Sequence, residues 1–182
     1  DLSVAHLRRA LDDTLNALGV ESVEMAMLHR FDPLLVPFAI AEWVRDEVRT
    51  GRIGGFGVSN FDADAMALFD GEVLVIANQI ELSLAHSAAL DDGTLAATRA
   101  RGTEVQAWSP LGGGALLEAQ SPIGARLHEP LRAMSAEFGL DTASLLLRWV
   151  ATIPGVRVVL GSTKIERLRE GAKACAEPLP RD

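Results

Sequence analysis

No tyrosine occurs among the 182 residues, and the only cysteine is Cys175. The first absence removes the phenol from the list of available proton donors. The second rules out an intrachain disulfide and suits a reducing cytoplasm. No stretch approaches the ~20 apolar residues that span a bilayer, and no basic-then-apolar signal segment opens the chain. Basic residues are also in short supply: 17 Lys+Arg stand against 25 Asp+Glu, a net charge of -8 without any Lys/Arg cluster. Nucleic acid is therefore not an expected partner, because phosphate binding depends on neutralising cations. What the chain does have is 48% apolar residues, enough for one compact domain over residues 1–182. It opens at Asp1 rather than methionine, which fits processed material or a piece of something longer.

Helical and strand patterns alternate along the chain. Val4, Leu7, Leu11, Leu15 and Leu18 recur at helical spacing, with Ser3 to cap the start and Gly19 the end. "VEMAML" reads as a short strand. "VPFAIAEWVRDEVRTG" reads as a helix whose inner face is Ile40, Trp43, Val44 and Glu47 to Val48. The strand "RIGGFGV" leads to a short helix that Asn60 or Asp62 can cap. "VLVIANQ" is apolar on both faces, as a covered parallel strand should be. A helix over "DDGTLAATRARG", the strand "TEVQAW" and the loop "SPLGGGALLEAQSPIG" follow. Helices are expected near 125–138 and 142–152, then the strand "VRVVLG", the helix "TKIERLREGAKAC" and a frayed tail "EPLPRD".

Five βα units mean an α/β fold with a parallel sheet and right-handed crossovers. An open doubly wound sheet and a segment of an eight-unit barrel both fit. The open dinucleotide fold needs G-x-G-x-x-G after its first strand, and the chain has "HRFDP" there.

Chemistry in parallel α/β folds collects at the carboxyl ends of the strands. Those ends carry His29, Ser59–Asn60, Gln79 with Glu81, Trp108–Ser109 and Gly161–Ser162. Two facing carboxylates for glycoside hydrolysis are missing, since only Glu81 is near. Converging metal ligands are missing too, because His6, His86 and His128 fall on helices or loops, and no metal is expected. No nucleophile-elbow motif is present. The set suits a flat, uncharged amide ring held by side-chain amides and stacked on an indole.

Six segments, "LGVESVEMAMLHRFD", "GRIGGFGVSNF", "ANQIEL", "AWSPLGGG", "LLLRWV" and "VLGSTKIERLRE", follow one another in an order that resembles the aldo-keto reductases. The resemblance runs from Leu2 to Ala174 and is to the carboxyl-terminal portion of that family. It implies a partial (β/α)8 barrel of about five units, a small-molecule aldehyde or ketone substrate, and NADPH as cofactor. It makes His29 the group that polarises the substrate carbonyl. Ser59, Asn60 and Gln79 would hold the nicotinamide carboxamide, and Trp108 would stack where the family usually has tyrosine. Ser109, Pro110, Leu111, Gly112 and Gly113 would follow the pyrophosphate, where small residues let backbone N–H groups approach. Gly161, Ser162, Thr163 and Arg167 would surround the adenosine 2′-phosphate, with Arg167 as its bidentate anchor. Glu170 would contact the adenine, and Gly171 stands where asparagine is usual.

The family's catalytic aspartate, tyrosine and lysine precede the matched region, and the only lysines here are Lys164 and Lys173. The expectation is a carboxyl-terminal part lacking three βα units, ~100 residues, and inactive alone. Its open strand edges would be covered by that missing half or by self-association. The competing expectation is a non-catalytic NADP-binding or protein-interaction module on the same fold. Ordinary structural roles stay open for single residues: His29 and Trp108 as core, Arg167 and Glu170 as a solvated i,i+3 pair, the "GGG" as a loop tip. Trp43 and Trp149 are expected to pack, and Cys175 to be inert.

Overall fold

The computed structural model describes residues 1–180. Five parallel strands form one sheet in the order β1-β2-β3-β4-β5. A monotonic order has no reversal, and so no switch point of the kind where an open doubly wound sheet binds dinucleotides. It is the order that successive right-handed βα units produce in a barrel. By contact density the chain divides into two compact units, the first Asp1–Gln79 with Ala96–Glu104, the second Ile80–Leu95 with the residues from Val105 onward.

In the first unit, α1 (Val4–Leu18) is capped by Ser3, whose hydroxyl accepts from the His6 amide, and is closed by Gly19 at φ 67°. Strand β1 (Ala26–Leu28) pairs with β2 (Phe56–Ser59) in the register Leu28↔Val58. Helix α2 (Pro37–Arg49) connects them and buries Ile40, Ala41, Trp43, Val44 and Glu47. Val48 is 44% exposed, so the inner face stops one residue short of the expected pair. Buried Glu47 is held by the Arg52 guanidinium at 3.1 Å. Helix α3 (Ala63–Ala67) is capped by Asp62 rather than Asn60. β2 pairs with β3 (Val75–Glu81) through Ser59↔Gln79.

Strand β1 is shorter than "VEMAML" because the chain reaches the sheet at Val23, bridges Ile53 once, and rejoins only at Ala26. Close approach explains the glycines opposite. A Cβ on Gly54 would lie 2.8 Å from the Glu24 carbonyl oxygen. The core of this unit gathers Leu7, Leu11, Leu15, Ile40, Trp43, Phe56, Val58, Phe61, Met66 and Phe69.

The second unit holds the end of β3, β4 (Glu104–Trp108, from Val105), β5 (Val156–Val158) and three helices: α5 (Pro122–Phe138), α6 (Thr142–Thr152) and α7 (Ile165–Ala176). The remaining helix, α4 (Thr94–Ala100), runs across the division of the chain at Ala96. α5 starts three residues before the expected position, because Ser121 caps it and Pro122 occupies its first turn, where a missing N–H is harmless. Val105 pairs with Val156 and Ala107 with Val158. Ile80, Leu82, Leu95, Val105, Ala107 and Val150 form one core cluster, and Leu116, Leu131, Leu145 and Leu146 another. Trp149 packs against the first of these, as expected. The tail is tied down rather than frayed as far as Leu179, whose amide donates to Thr152 Oγ1 at 2.9 Å. Arg181 and Asp182 lie outside the described residues. Among the described residues no helix is long and apolar enough to cross a membrane.

Candidate functional site

In the first unit the strand register sets the site. Leu28 pairs with Val58, so His29 follows β1 at the level of Ser59, and Ser59 pairs with Gln79. Three sequence-predicted residues thus share one row at the carboxyl ends of adjacent parallel strands. His29 is exposed, which removes the reading of it as a core histidine. It lines a groove of about 470 Å³ with Leu2, His6, Met27, Phe31 and Pro33. Asp32, at the rim of that groove, accepts the Leu34 and Leu2 amides, and these bonds hold its carboxyl below the usual value of 3.8.

Ser59, Asn60 and Gln79 form a hydrogen-bonded knuckle. The Gln79 carbonyl accepts both the Ser59 hydroxyl at 2.8 Å and the Asn60 amide at 2.9 Å. Asn60 Nδ2 donates to Ser59 Oγ at 3.2 Å. Asn60 sits at φ 55°, a left-handed conformation that asparagine tolerates better than most residues. Backbone strain of this kind persists where the surroundings over-determine it, and it clusters at functional sites. Ser59 is 5% exposed whereas Asn60 is exposed, so the knuckle presents one polar side chain outward from a buried base.

Two neighbours that the sequence reading missed complete this group. Phe61, fully buried, has its ring edge-on to Phe31 at 5.5 Å and tilted against Phe69 at 6.2 Å. It therefore joins the segment after His29 to the segment after Ser59. Asn78, also fully buried, donates from Nδ2 to the Phe61 carbonyl at 2.8 Å and to Thr98 Oγ1 at 3.2 Å. A signal for it existed in "VIANQIE", where asparagine interrupts an apolar strand at a position that points away from Gln79.

The second unit carries the other predicted residues. Trp108 ends β4 half-buried, and its carbonyl accepts the Leu82 amide at 3.2 Å. Ser109 follows at φ 54°, the only non-glycine besides Asn60 with positive φ among the described residues. Pro110 is buried and Leu111 half-buried. The Ser109 carbonyl accepts the Gly112 amide at 2.8 Å and Leu111 accepts that of Gly114 at 3.1 Å, making two consecutive tight turns. Gly112, Gly113 and Gly114 lie at φ 60°, 63° and 96°, and a Cβ on Gly112 would meet Ala85 Cβ at 3.3 Å. The triplet thus runs through two tight turns in the left-handed region, where glycine is favoured.

Beyond β5, Gly161 and Thr163 are exposed and Ser162 is half-buried. Ser162 Oγ accepts the Lys164 amide at 3.1 Å just ahead of α7, which no side chain caps at Lys164. Arg167 and Glu170 are exposed on the first turns of α7. Among the described residues no ion pair joins the two. Gly171, where an asparagine was looked for, is buried, and a Cβ there would touch Leu160 Cδ1 at 3.0 Å. Cys175 is half-buried, and burial raises its thiol pKa, consistent with an unreactive sulfur. No cluster of His, Cys, Asp and Glu among the described residues could hold a metal ion.

Comparison with known proteins gives these positions a context. The chain is 33% identical over 178 residues to a 6-dehydroglucose reductase of Novosphingobium aromaticivorans, covering 96% of this chain and 58% of that protein. An aldo/keto reductase from Klebsiella pneumoniae, solved with NADP and acetate, is 25% identical with a TM-score of 0.84, covering 96% of this chain and 61% of that one. A thermostable aldo-keto reductase solved with the inhibitor epalrestat shares the fold at a TM-score of 0.87 and 24% identity, covering 99% of this chain and 64% of that one. The chain therefore spans less than two thirds of the length of each of these proteins. The model of the aldo/keto reductase family matches all of residues 1–182, and the chain belongs to that family.

Proposed function

We propose that the chain, as a single domain over residues 1–182, binds NADPH and serves as the cofactor-holding, carbonyl-polarising part of a reductase of aldehydes or ketones. The observation that carries this reading is the row of His29, Ser59 and Gln79 at adjacent strand ends, with Asn60 held beside them in a left-handed turn. Support for the cofactor comes from the Klebsiella relative solved with NADP and from the donor set itself. Ser59, Asn60 and Gln79 offer one hydroxyl and two amides, the complement of a carboxamide. The tight turns over Ser109–Gly113, flanked by Trp108, bring small residues where backbone can approach a pyrophosphate. Arg167, with Gly161, Ser162 and Thr163 ahead of an uncapped helix start, suits a 2′-phosphate. Glu170 stands one turn further, toward an adenine.

Bound NADPH would supply the hydride to the carbonyl carbon. His29 would donate a hydrogen bond to the carbonyl oxygen, stabilising the negative charge that grows there. Ser59, Asn60 and Gln79 would fix which face of the nicotinamide meets the substrate. The alkoxide must then be protonated, and no tyrosine is available, while Lys164 and Lys173 belong to the last helix region. The proton donor would therefore come from outside these 182 residues, and the chain alone would lack normal turnover. The lone Cys175 favours a cytoplasmic setting.

A second reading, a non-catalytic NADP-binding or protein-interaction module, is favoured by one observation. An open apolar groove of about 340 Å³ runs along α1 and β1, lined by Leu11, Leu18, Met25, Met27, Trp43 and Phe56. A second copy of the chain would fit against it without any catalytic role. One experiment addresses both readings: NADPH fluorescence titration of this chain, with carbonyl reduction assayed for the chain alone and fused to the part of a full-length relative that it lacks. Binding by both with turnover only by the fusion is expected. Turnover by the chain alone would sink the missing-donor argument, and binding by neither would sink the cofactor assignment.

A further inference from the structure

Asn78 neighbours Gln79 in β3, but alternation along the strand turns the two side chains to opposite faces. Asn78 therefore has no route to the ligand that Gln79 would meet. Its amide orientation is decided by the Phe61 carbonyl, which can only accept, so Nδ2 must be the atom at 2.8 Å. Thr98 Oγ1, at 3.2 Å, takes the second Nδ2 hydrogen. Oδ1 is then left buried and without a partner among the described residues. An apolar residue of the same size would avoid that orphaned acceptor. The side chain is explained by what its nitrogen holds.

What it holds is the residue after Asn60. The Phe61 ring is seated against Phe31 and Phe69, and its carbonyl is taken by Asn78. On the other side of Asn60, the Gln79 carbonyl takes the Asn60 amide and the Ser59 hydroxyl. Consecutive strand residues thus grip the knuckle from two sides, and Asn60 is pinned between them at φ 55°. We propose that Asn78 is a positioning residue: through the Phe61 carbonyl it orients Ser59 and Asn60 toward the nicotinamide carboxamide. The inference rests on the NADPH reading above and adds to it a buried residue that sets how well the amide clamp is preorganised.

Two probes separate positioning from general stability. NADPH carries the nicotinamide, whereas 2′,5′-ADP carries only the adenosine 2′-phosphate end. Asn78→Leu keeps the branched outline of the side chain, in a somewhat larger volume, and removes the donor, and is expected to raise the Kd for NADPH roughly tenfold, the scale of one to two lost hydrogen bonds. The Kd for 2′,5′-ADP should stay within about twofold of wild type. Thr98→Val, a milder change should Asn78→Leu not fold, leaves the Asn78 amide with one partner and is expected to shift the same ratio about threefold. Folded variants in which both ligands weaken in proportion, or in which neither changes, overturn the positioning role alone. Failure of the unaltered chain to bind either probe overturns the cofactor reading, and this inference with it.

Discussion

Replacing Ser59 by alanine removes one oxygen from the base of the knuckle, and its consequences can be worked from the contacts. The hydroxyl donates to the Gln79 carbonyl at 2.8 Å and accepts from Asn60 Nδ2 at 3.2 Å. The Gln79 carbonyl keeps the Asn60 amide at 2.9 Å, so no buried acceptor is orphaned. Exposed Asn60 can turn its amide to water. Stability should therefore fall by only about 1 kcal/mol, the net worth of one hydrogen bond. With a urea dependence of ~1–3 kcal/mol/M, that is a midpoint shift of ~0.3–1 M, read by circular dichroism. NADPH affinity should fall further, roughly 5–30-fold, because a carboxamide contact and the restraint on Asn60 are lost together. The fluorescence titration that measures the Kd and the denaturation curve come from the same preparation. An unchanged Kd would refute the placement of Ser59 at the carboxamide. A stability loss above ~3 kcal/mol would refute the hydrogen-bond accounting, since it would need an orphaned group the contacts do not contain.

Three other substitutions probe the remaining parts. Arg167→Met should weaken NADPH roughly tenfold or more while leaving NADH nearly unchanged, as expected when a phosphate loses its guanidinium; parallel weakening of both cofactors in titrations would remove Arg167 from the 2′-phosphate. Gly113→Ala, at φ 63° with only Ser109 Oγ within 4 Å of the new Cβ, should lose about 1–2 kcal/mol from backbone strain alone; a neutral denaturation midpoint would contradict the left-handed turn. Asp70 accepts from Arg101 Nε at 2.7 Å and Nη2 at 2.6 Å, and this hydrogen bonding lowers its pKa below 3.8. A depressed folded-state pKa means stabilisation that is present above the unfolded value and lost as pH falls through the folded one. The difference in urea midpoint between unaltered chain and Asp70→Asn should therefore shrink as pH falls below 3.8, and a difference that grows there would overturn the assignment.

How far the sequence could be read depended on the range of the forces involved. Local signals were legible. Ser3 and Gly19 bracket α1, as the apolar periodicity between them indicated. The strand-end polar residues His29, Ser59, Gln79 and Trp108 could be picked out because parallel βα units put chemistry at one end of the sheet. Less legible were features that depend on a neighbour far along the chain. Val48 continues the apolar periodicity of α2 yet is exposed, because periodicity cannot say where the packing surface ends. Leu179 looked like part of a loose tail, and is anchored by Thr152, 27 residues away.

The amino-acid sequence by itself determined the alternation of helix and strand, the absence of tyrosine from these 182 residues, and the family, because each follows from residue identities in order. The tertiary structure alone decided the strand register that lines up His29 with Ser59 and Gln79, since a slip of one residue would turn each side chain to the opposite face. It also decided the left-handed backbone at Asn60 and Ser109, and the buried amide of Asn78 behind the knuckle. These are relations between segments tens of residues apart, fixed only when the sheet brings their backbones within hydrogen-bonding distance.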